Sequence, residues 1–297
     1  MNSKNIKKSL NAKLKRWLEN IDDEEIKKIV KENTIITGGA LVSLLTGQEV
    51  NDYDVYFKTR EATLAVAQYY AKKFNEAHNA HVTVKEEVDE QWQPVPNGKI
   101  TVFISSKGVE SESEDTETIT DESEPKEAVE EVGQAEEKPK YRPVYLTSNA
   151  ITLSDKIQIV IRFWGEVEDI HKNYDFAHCT CAWSSWNNEL FLPTKALECI
   201  INKELYYMGS KYPLCSIIRT RKFINRGYTI NAGQYLKMCL QLNELDLHDV
   251  EVLKDQLVGV DSAYFDMFIS AIADKKEKEP SWVLDNGYLV EVINRIF

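Results

Sequence analysis

Residues Thr34 to Lys58 read TIITGGALVSLLTGQEVNDYDVYFK, and this stretch carries the side chains best suited to chemistry. A β-run ends in Gly38-Gly39, an apolar helical turn follows from Ala40 to Leu45, and Asp52-Tyr53-Asp54 opens a second β-run. Two glycines after a strand let the backbone approach a ligand closely, and the N–H groups that start the next helix favour a phosphate. In an extended chain residues i and i+2 share a face, so Asp52 and Asp54 would project together. Two adjacent carboxylates repel unless a cation sits between them. Hard divalent ions take oxygen ligands, and Mg²⁺ combines a few carboxylates with substrate phosphates. A plainer reading is that the glycines serve a tight turn and the aspartates cap a helix or solvate a loop. The run Val55-Tyr56-Phe57 directly after Asp54 speaks against it, because it reads as buried strand.

The elements needed to position these groups are legible on either side. Thr34 to Thr37, Asp54 to Phe57, His81 to Glu86 and Lys99 to Ser105 read as strands, as do Tyr145 to Leu153, Ile157 to Phe163 and Tyr174 to Cys179. Pro96-Asn97-Gly98 and Ser154-Asp155-Lys156 are turn signals. Glu61 to Asn75 is a helix following a strand. After Trp183 the apolar period becomes helical, over Pro193–Tyr207, Ser216–Asn225, Ala232–Leu245, Leu247–Val258, Ser262–Lys276 and Ser281–Phe297, with Asp261-Ser262 as a cap. The expectation is an α+β fold with a mixed sheet and flanking helices, followed by an all-helical C-terminal domain. Residues 1–30 form a basic helical segment, 31–182 the sheet domain and 183–297 the helical domain.

The ordered set Gly38-Gly39, Leu44-Leu45-Thr46-Gly47 and Asp52-x-Asp54 resembles the polymerase-β-like nucleotidyltransferase superfamily. Within it the chain looks closest to the head domain of poly(A) polymerases and CCA-adding tRNA nucleotidyltransferases. One departure is Val42-Ser43, where those head domains commonly carry Arg-Asp to contact the nucleotide. The resemblance implies transfer of NMP from an NTP, ATP or CTP, to an acceptor hydroxyl such as an RNA 3′ end, with release of pyrophosphate. It implies two-metal transfer, with Asp52 and Asp54 as ligands of two Mg²⁺ or Mn²⁺ ions, Gly38 and Gly39 as the phosphate cradle, and a third carboxylate on a neighbouring strand so that one ion holds the attacking hydroxyl and the other the triphosphate. Asp175, in a Tyr-Asp-Phe stretch similar to one in CCA-adding enzymes, is the candidate for the third, with Asp155 and Asp169 as rivals.

The helical part carries a second resemblance, to the neck of those enzymes. It lies in Lys211-Tyr212-Pro213-Leu214, Arg219-Thr220-Arg221-Lys222-Phe223 and Arg226-Gly227-Tyr228. Arg219, Arg221, Lys222 and Arg226 are candidate contacts to triphosphate or RNA phosphates, or else solvate one helix face; Lys195 is a further triphosphate candidate. The element that selects C and A in CCA addition is not identifiable. Two other classes stay open: a transferase that modifies a protein or small molecule, as in toxin and resistance settings, and a non-catalytic binding or assembly module.

Other signals are excluded or explained. His178, Cys179 and Cys181 lack the second ligand pair that a zinc site needs. Five irregularly spaced cysteines give no disulfide framework and favour a reducing, cytoplasmic setting. No stretch approaches the ~20 apolar residues of a membrane span. The net charge of −12, from 36 Lys and Arg against 48 Asp and Glu, would by itself disfavour a nucleic-acid partner. Residues 107–140 hold much of it, with thirteen acidic and four basic side chains and no aromatic residue, and read as a disordered acidic insert. Residues 1–18 carry six basic and no acidic side chains, so the sign of the whole does not describe every face.

Overall fold

A computed structural model describes residues 2–78, 80–89, 93, 95, 98–104, 140–257 and 263–296. The acidic insert, apart from Lys140, lies outside the described residues, as do Pro96, Asn97, Ser105, the Asp261-Ser262 cap and Phe297. The described residues of Met1–Thr118, Gln134–Asn173 and His178–Ile201 form one compact unit, and those of Tyr174–Ala177 and Asn202–Phe297 a second.

The first unit begins with two helices. α1 (Ser3–Leu18) is capped by Asn2, whose side chain accepts from the Asn5 N–H at 2.9 Å. Its helical period places Ile6, Leu10, Leu14 and Trp17 in the core and leaves Lys4, Lys8, Lys15 and Arg16 exposed. α2 (Glu24–Asn33) is capped by Asp23, which accepts from Glu25 and Ile26 N–H at 2.9 and 3.1 Å. The basic N-terminal segment therefore contributes its apolar stripe to the same core as the sheet.

Then come β1 (Thr34–Thr37), α3 (Gly39–Thr46), β2 (Tyr53–Phe57), α4 (Arg60–His78), β3 (Val82–Glu86), β4 (Ile100–Ile104) and β5 (Pro143–Leu146). β6 (Ala150–Leu153), β7 (Ile157–Trp164), α5 (Val167–His171), β8 (Ala182–Ser184), β9 (Glu189–Phe191) and α6 (Thr194–Asn202) complete it. Seven strands form one mixed sheet in the order β5-β6-β7-β2-β1-β8-β9, with β2 and β7 parallel and the other neighbours antiparallel. β3 and β4 form a separate antiparallel pair. On one face Ile36, Val55, Ile159 and Ile151 are buried with Val66 and Tyr70 of α4 and with Trp17 of α1. The expected α+β class and mixed sheet are borne out.

Three local expectations are corrected. Tyr145 to Leu153 is two strands, because Thr147 Oγ1 accepts from the Asn149 and Ala150 N–H groups at 3.3 and 3.0 Å and turns the chain. Tyr174 to Cys179 is no strand: Phe176 makes one isolated bridge to Tyr207, and Ala177–Cys179 is a 3₁₀ turn. The β8–β9 hairpin continues the sheet beyond Trp183, where helices were expected to begin.

The second unit is helical: α7 (Pro213–Asn225), α8 (Ala232–Leu242), α9 (Val250–Gln256), α10 (Ala263–Lys278) and α11 (Asn286–Ile296). Pro213 starts α7, where a missing N–H is harmless. Asp249 caps α9 through the Glu251 N–H at 2.8 Å. Phe176, Leu205, Tyr207, Tyr228 and Met238 make one cluster of this unit, and Leu253, Leu257, Phe268, Ile272, Leu284 and Val292 another.

Candidate functional site

The end of β1 lies beside the start of β2, with Thr37 opposite Asp54. Gly38 follows Thr37 at φ 75°, ψ −142°, a conformation that a side chain opposes, and Gly39 begins α3. No side chain caps this helix; the Leu41 N–H turns back to the Gly38 carbonyl at 3.2 Å, and the Gly39 and Ala40 amides ahead of it are the ones suited to a ligand. The antiparallel register thus sets the Gly38-Gly39 turn next to Asp54, with Asp52 just before β2 and exposed, and Asp54 half-buried. Gly47 ends α3 in the left-handed region, with its N–H bonded to the Ser43 carbonyl, and the Leu-Leu-x-Gly stretch is the helix stop.

The two glycines differ in what they require. A Cβ on Gly39 would meet nothing within 4 Å, whereas Gly38 needs its positive φ. Gly38→Ala is therefore expected to cost about 1–3 kcal/mol of stability. Gly39→Ala is expected to leave thermal stability unchanged or slightly raised while weakening nucleotide binding, because the added methyl stands where a phosphate would approach the backbone. Differential scanning calorimetry beside nucleotide titration separates the two effects.

Behind the turn lies a buried polar contact. Thr37 Oγ1 donates to the Cys181 carbonyl at 2.9 Å, which leaves its oxygen to accept from His171 Nε2 at 2.8 Å. His171 is buried, and burial lowers its pKa to about 4. The unfolded chain takes up a proton near pH 6.5 and the folded chain only near 4, so stability is full above pH 6.5 and declines through that window. The expected loss is up to about 3 kcal/mol. Urea midpoints measured from pH 7.5 to 4.5 check this, and His171→Gln should flatten the decline.

Lys156 lies across the Asp52 loop. Its ammonium donates to Glu49 Oε1 at 2.6 Å and to the Val50 carbonyl at 3.0 Å. The hydrogen bond to Glu49 holds Lys156 above the ordinary lysine range, and Asp52 adds a smaller push. On α3 the half-buried Val42 and Ser43 put no cation where a triphosphate contact was expected.

The other expected residues are spread over both units. Asp155, on the β6–β7 turn, is ion-paired at 3.2 Å with Lys13, which is buried and also meets the Tyr53 and Tyr141 rings at 5.0 Å. Asp169 pairs with Lys172 at 2.7 Å. Asp175 belongs to the second unit, where its buried carboxylate accepts from Arg219 Nη1 at 3.0 Å and its carbonyl from the Met208 N–H at 2.9 Å. Arg221 and Lys222 are exposed on α7 of that unit. Lys195 is exposed in the first turn of α6, 3.3 Å from Glu198. Among the described residues no three His, Cys, Asp or Glu side chains converge as a metal cage. A cavity of about 330 Å³ in the second unit has a mostly apolar lining that includes Leu214, Ile218, Leu253 and Phe268, with His248 and Asn286 as its polar members.

Sequence reading missed Gln158 and Thr152. Gln158 pairs in register with Asp54 on one side and with Thr152 on the other. The alternation of Ile157, Ile159 and Ile161 with Gln158, Val160 and Arg162 marks the face of Gln158 but not its cross-strand partner.

The family model described as Gad2, Gabija anti-defense 2 family protein, matches residues 8–203 and so spans the Gly-Gly turn, both aspartates and Gln158. The chain belongs to this family. A curated relative, Gabija anti-defense 2 of Bacillus phage SPbetaL7, is 22% identical over 284 residues, covering 92% of this chain and 55% of the relative. This family member thus spans about half the length of the curated relative it matches. Among solved structures it is similar to the Thermotoga maritima CCA-adding enzyme complexed with tRNA, at 13% identity and TM-score 0.39 over 77% of this chain and 45% of that one. It is also similar to a tRNA nucleotidyltransferase complexed with a primer tRNA and an incoming ATP analogue, at 14% identity and TM-score 0.37, covering 76% and 51%. No described helix of this family member is long and apolar enough to cross a membrane.

Proposed function

We propose that this Gabija anti-defense 2 family member is a metal-dependent nucleotidyltransferase that moves NMP from an NTP to an acceptor hydroxyl. The observation that carries the reading is the Thr37–Asp54 register, which sets the Gly38-Gly39 turn, at a helix start without a side-chain cap, beside a carboxylate. Gly38 and Gly39 would let the triphosphate approach the backbone, and the first amides of α3 would donate to its oxygens. Asp52 and Asp54 would turn their carboxylates to that space. Two carboxylates beside a phosphate seat fit a hard ion such as Mg²⁺ or Mn²⁺. Held by Asp52 and Asp54, such an ion would supply a lower pKa to an attacking hydroxyl and positive charge to the departing pyrophosphate. The acceptor oxygen bonds to the α-phosphorus as the bond to pyrophosphate breaks, and the hydroxyl proton leaves to solvent or a carboxylate.

For the acceptor, the first reading is an RNA 3′ end, supported by the head-domain motif. Family membership favours a second, in which a component of the Gabija defence receives the nucleotide. One experiment tests both: incubation of α-labelled NTPs and Mg²⁺ with total RNA and, separately, with purified Gabija proteins, comparing wild type with Asp54→Ala. Label on RNA alone supports the first reading and label on protein alone the second. Equal label from both enzymes would refute the site.

A further inference from the structure

We propose that Gln158 restricts this site to a single divalent cation, which arrives with the nucleotide; the inference rests on the nucleotidyltransferase reading above. Cross-strand partners share a face, so Thr37, Asp54, Gln158 and Thr152 form one row over four adjacent strands. The row behind it, Ile36, Val55, Ile159 and Ile151, is buried in the core, whereas Asp54, Gln158 and Thr152 are half-buried. Gln158 is therefore the nearest β7 side chain to Asp54 on the open face. Its amide makes no hydrogen bond with another described residue.

β7, Ile157–Trp164, contains no Asp or Glu and so offers no carboxylate there. Other acids of this unit are ion-paired: Asp155 with Lys13, Asp169 with Lys172 and Glu49 with Lys156. The carboxylates proposed above as ligands are Asp52 and Asp54. Two carboxylates with a triphosphate suffice for one Mg²⁺, which retains several waters and draws other ligands from phosphate. A second cation about 4 Å away would need another anionic bridge to offset the repulsion between two dipositive ions. An amide supplies hydrogen bonds to the acceptor hydroxyl or a phosphate oxygen, and no charge.

The test counts cations directly. Free Mn²⁺ is followed by electron paramagnetic resonance in titrations of the full chain, alone and with a non-hydrolysable α,β-methylene NTP, with analogue alone as the blank. Wild type is expected to bind Mn²⁺ weakly by itself and one Mn²⁺ per chain with the analogue. Gln158→Glu is expected to bind Mn²⁺ about 10-fold more tightly without nucleotide and to accept a second ion with it. Gln158→Asp provides the same test with a shorter side chain, and thermal unfolding verifies that both variants fold. Two Mn²⁺ per wild-type complex, or variants that titrate like wild type, would overturn the role of Gln158 and leave the transferase reading standing. No binding of the analogue to wild type would overturn both.

Discussion

Asp54→Ala is expected to lower metal-dependent nucleotidyl transfer by about 10²–10³-fold or more, with thermal stability nearly unchanged. The reasoning rests on position. Asp54 stands in β2 opposite Thr37, one residue before the Gly38 turn, so its carboxylate neighbours the seat proposed for the triphosphate. It is half-buried at the end of a strand whose continuation, Val55 and Phe57, is fully buried and anchors it. Alanine keeps the strand and removes the charge. Asp54→Asn, nearly isosteric, should fail almost as badly, because the argument requires an anion and not a hydrogen-bond acceptor. Asp52→Ala should be the milder lesion, since Asp52 lies in the exposed loop before β2. Initial rates of label transfer at saturating Mg²⁺, with calorimetric unfolding of each variant, give the comparison. Retention of wild-type rate by both Asp54 variants would move the chemistry elsewhere.

The parts of this molecule that sequence could reveal are those governed by local rules. β1 from Thr34 to Thr37, the glycine turn and the start of β2 appear where the alternation and the Gly-Gly pair put them. What escaped depends on pairing between distant segments. Tyr174-Asp175-Phe176 is apolar and aromatic enough to read as strand, yet the Asp175 carbonyl accepts from the Met208 N–H and the next residue, Ala177, donates to the Tyr206 carbonyl, some thirty positions later. The β8–β9 hairpin turns through Asn187 and Asn188, whose side chains accept from Ser184 Oγ and Trp183 Nε1. Three-residue strands are too short to outweigh the helical period that follows them. The site shows the same division. Asp52 and Asp54 are local, whereas the neighbour of Asp54 is set by a parallel crossover of about a hundred residues. No spacing in the sequence identifies Gln158 as that neighbour.

Trp17→Ala is expected to destabilise the first unit by about 3–5 kcal/mol without altering the chemistry of the aspartates. Trp17 is 1% exposed and is among the largest fully buried side chains, packed on the core face of the sheet opposite the Asp54 row. Its Nε1–H donates to the Tyr70 hydroxyl of α4 at 2.6 Å, inside an apolar cluster where Tyr70 is itself buried. Truncation opens a cavity and also strips the Tyr70 oxygen of its donor, and the two penalties act together. For a domain of this size the thermal midpoint should fall by roughly 6–20 °C. Trp17→Phe should cost less, about 1–3 kcal/mol, because most of the ring volume stays and the unsatisfied hydroxyl dominates. Adding Tyr70→Phe to Trp17→Phe should then recover part of that loss, since neither partner is left with a buried polar atom. Strictly additive effects in this double-mutant cycle would assign the stability to packing alone. The cycle also separates folding from catalysis: below its lowered midpoint Trp17→Ala should retain metal-dependent transfer, whereas Asp54→Ala should lose transfer with its midpoint intact.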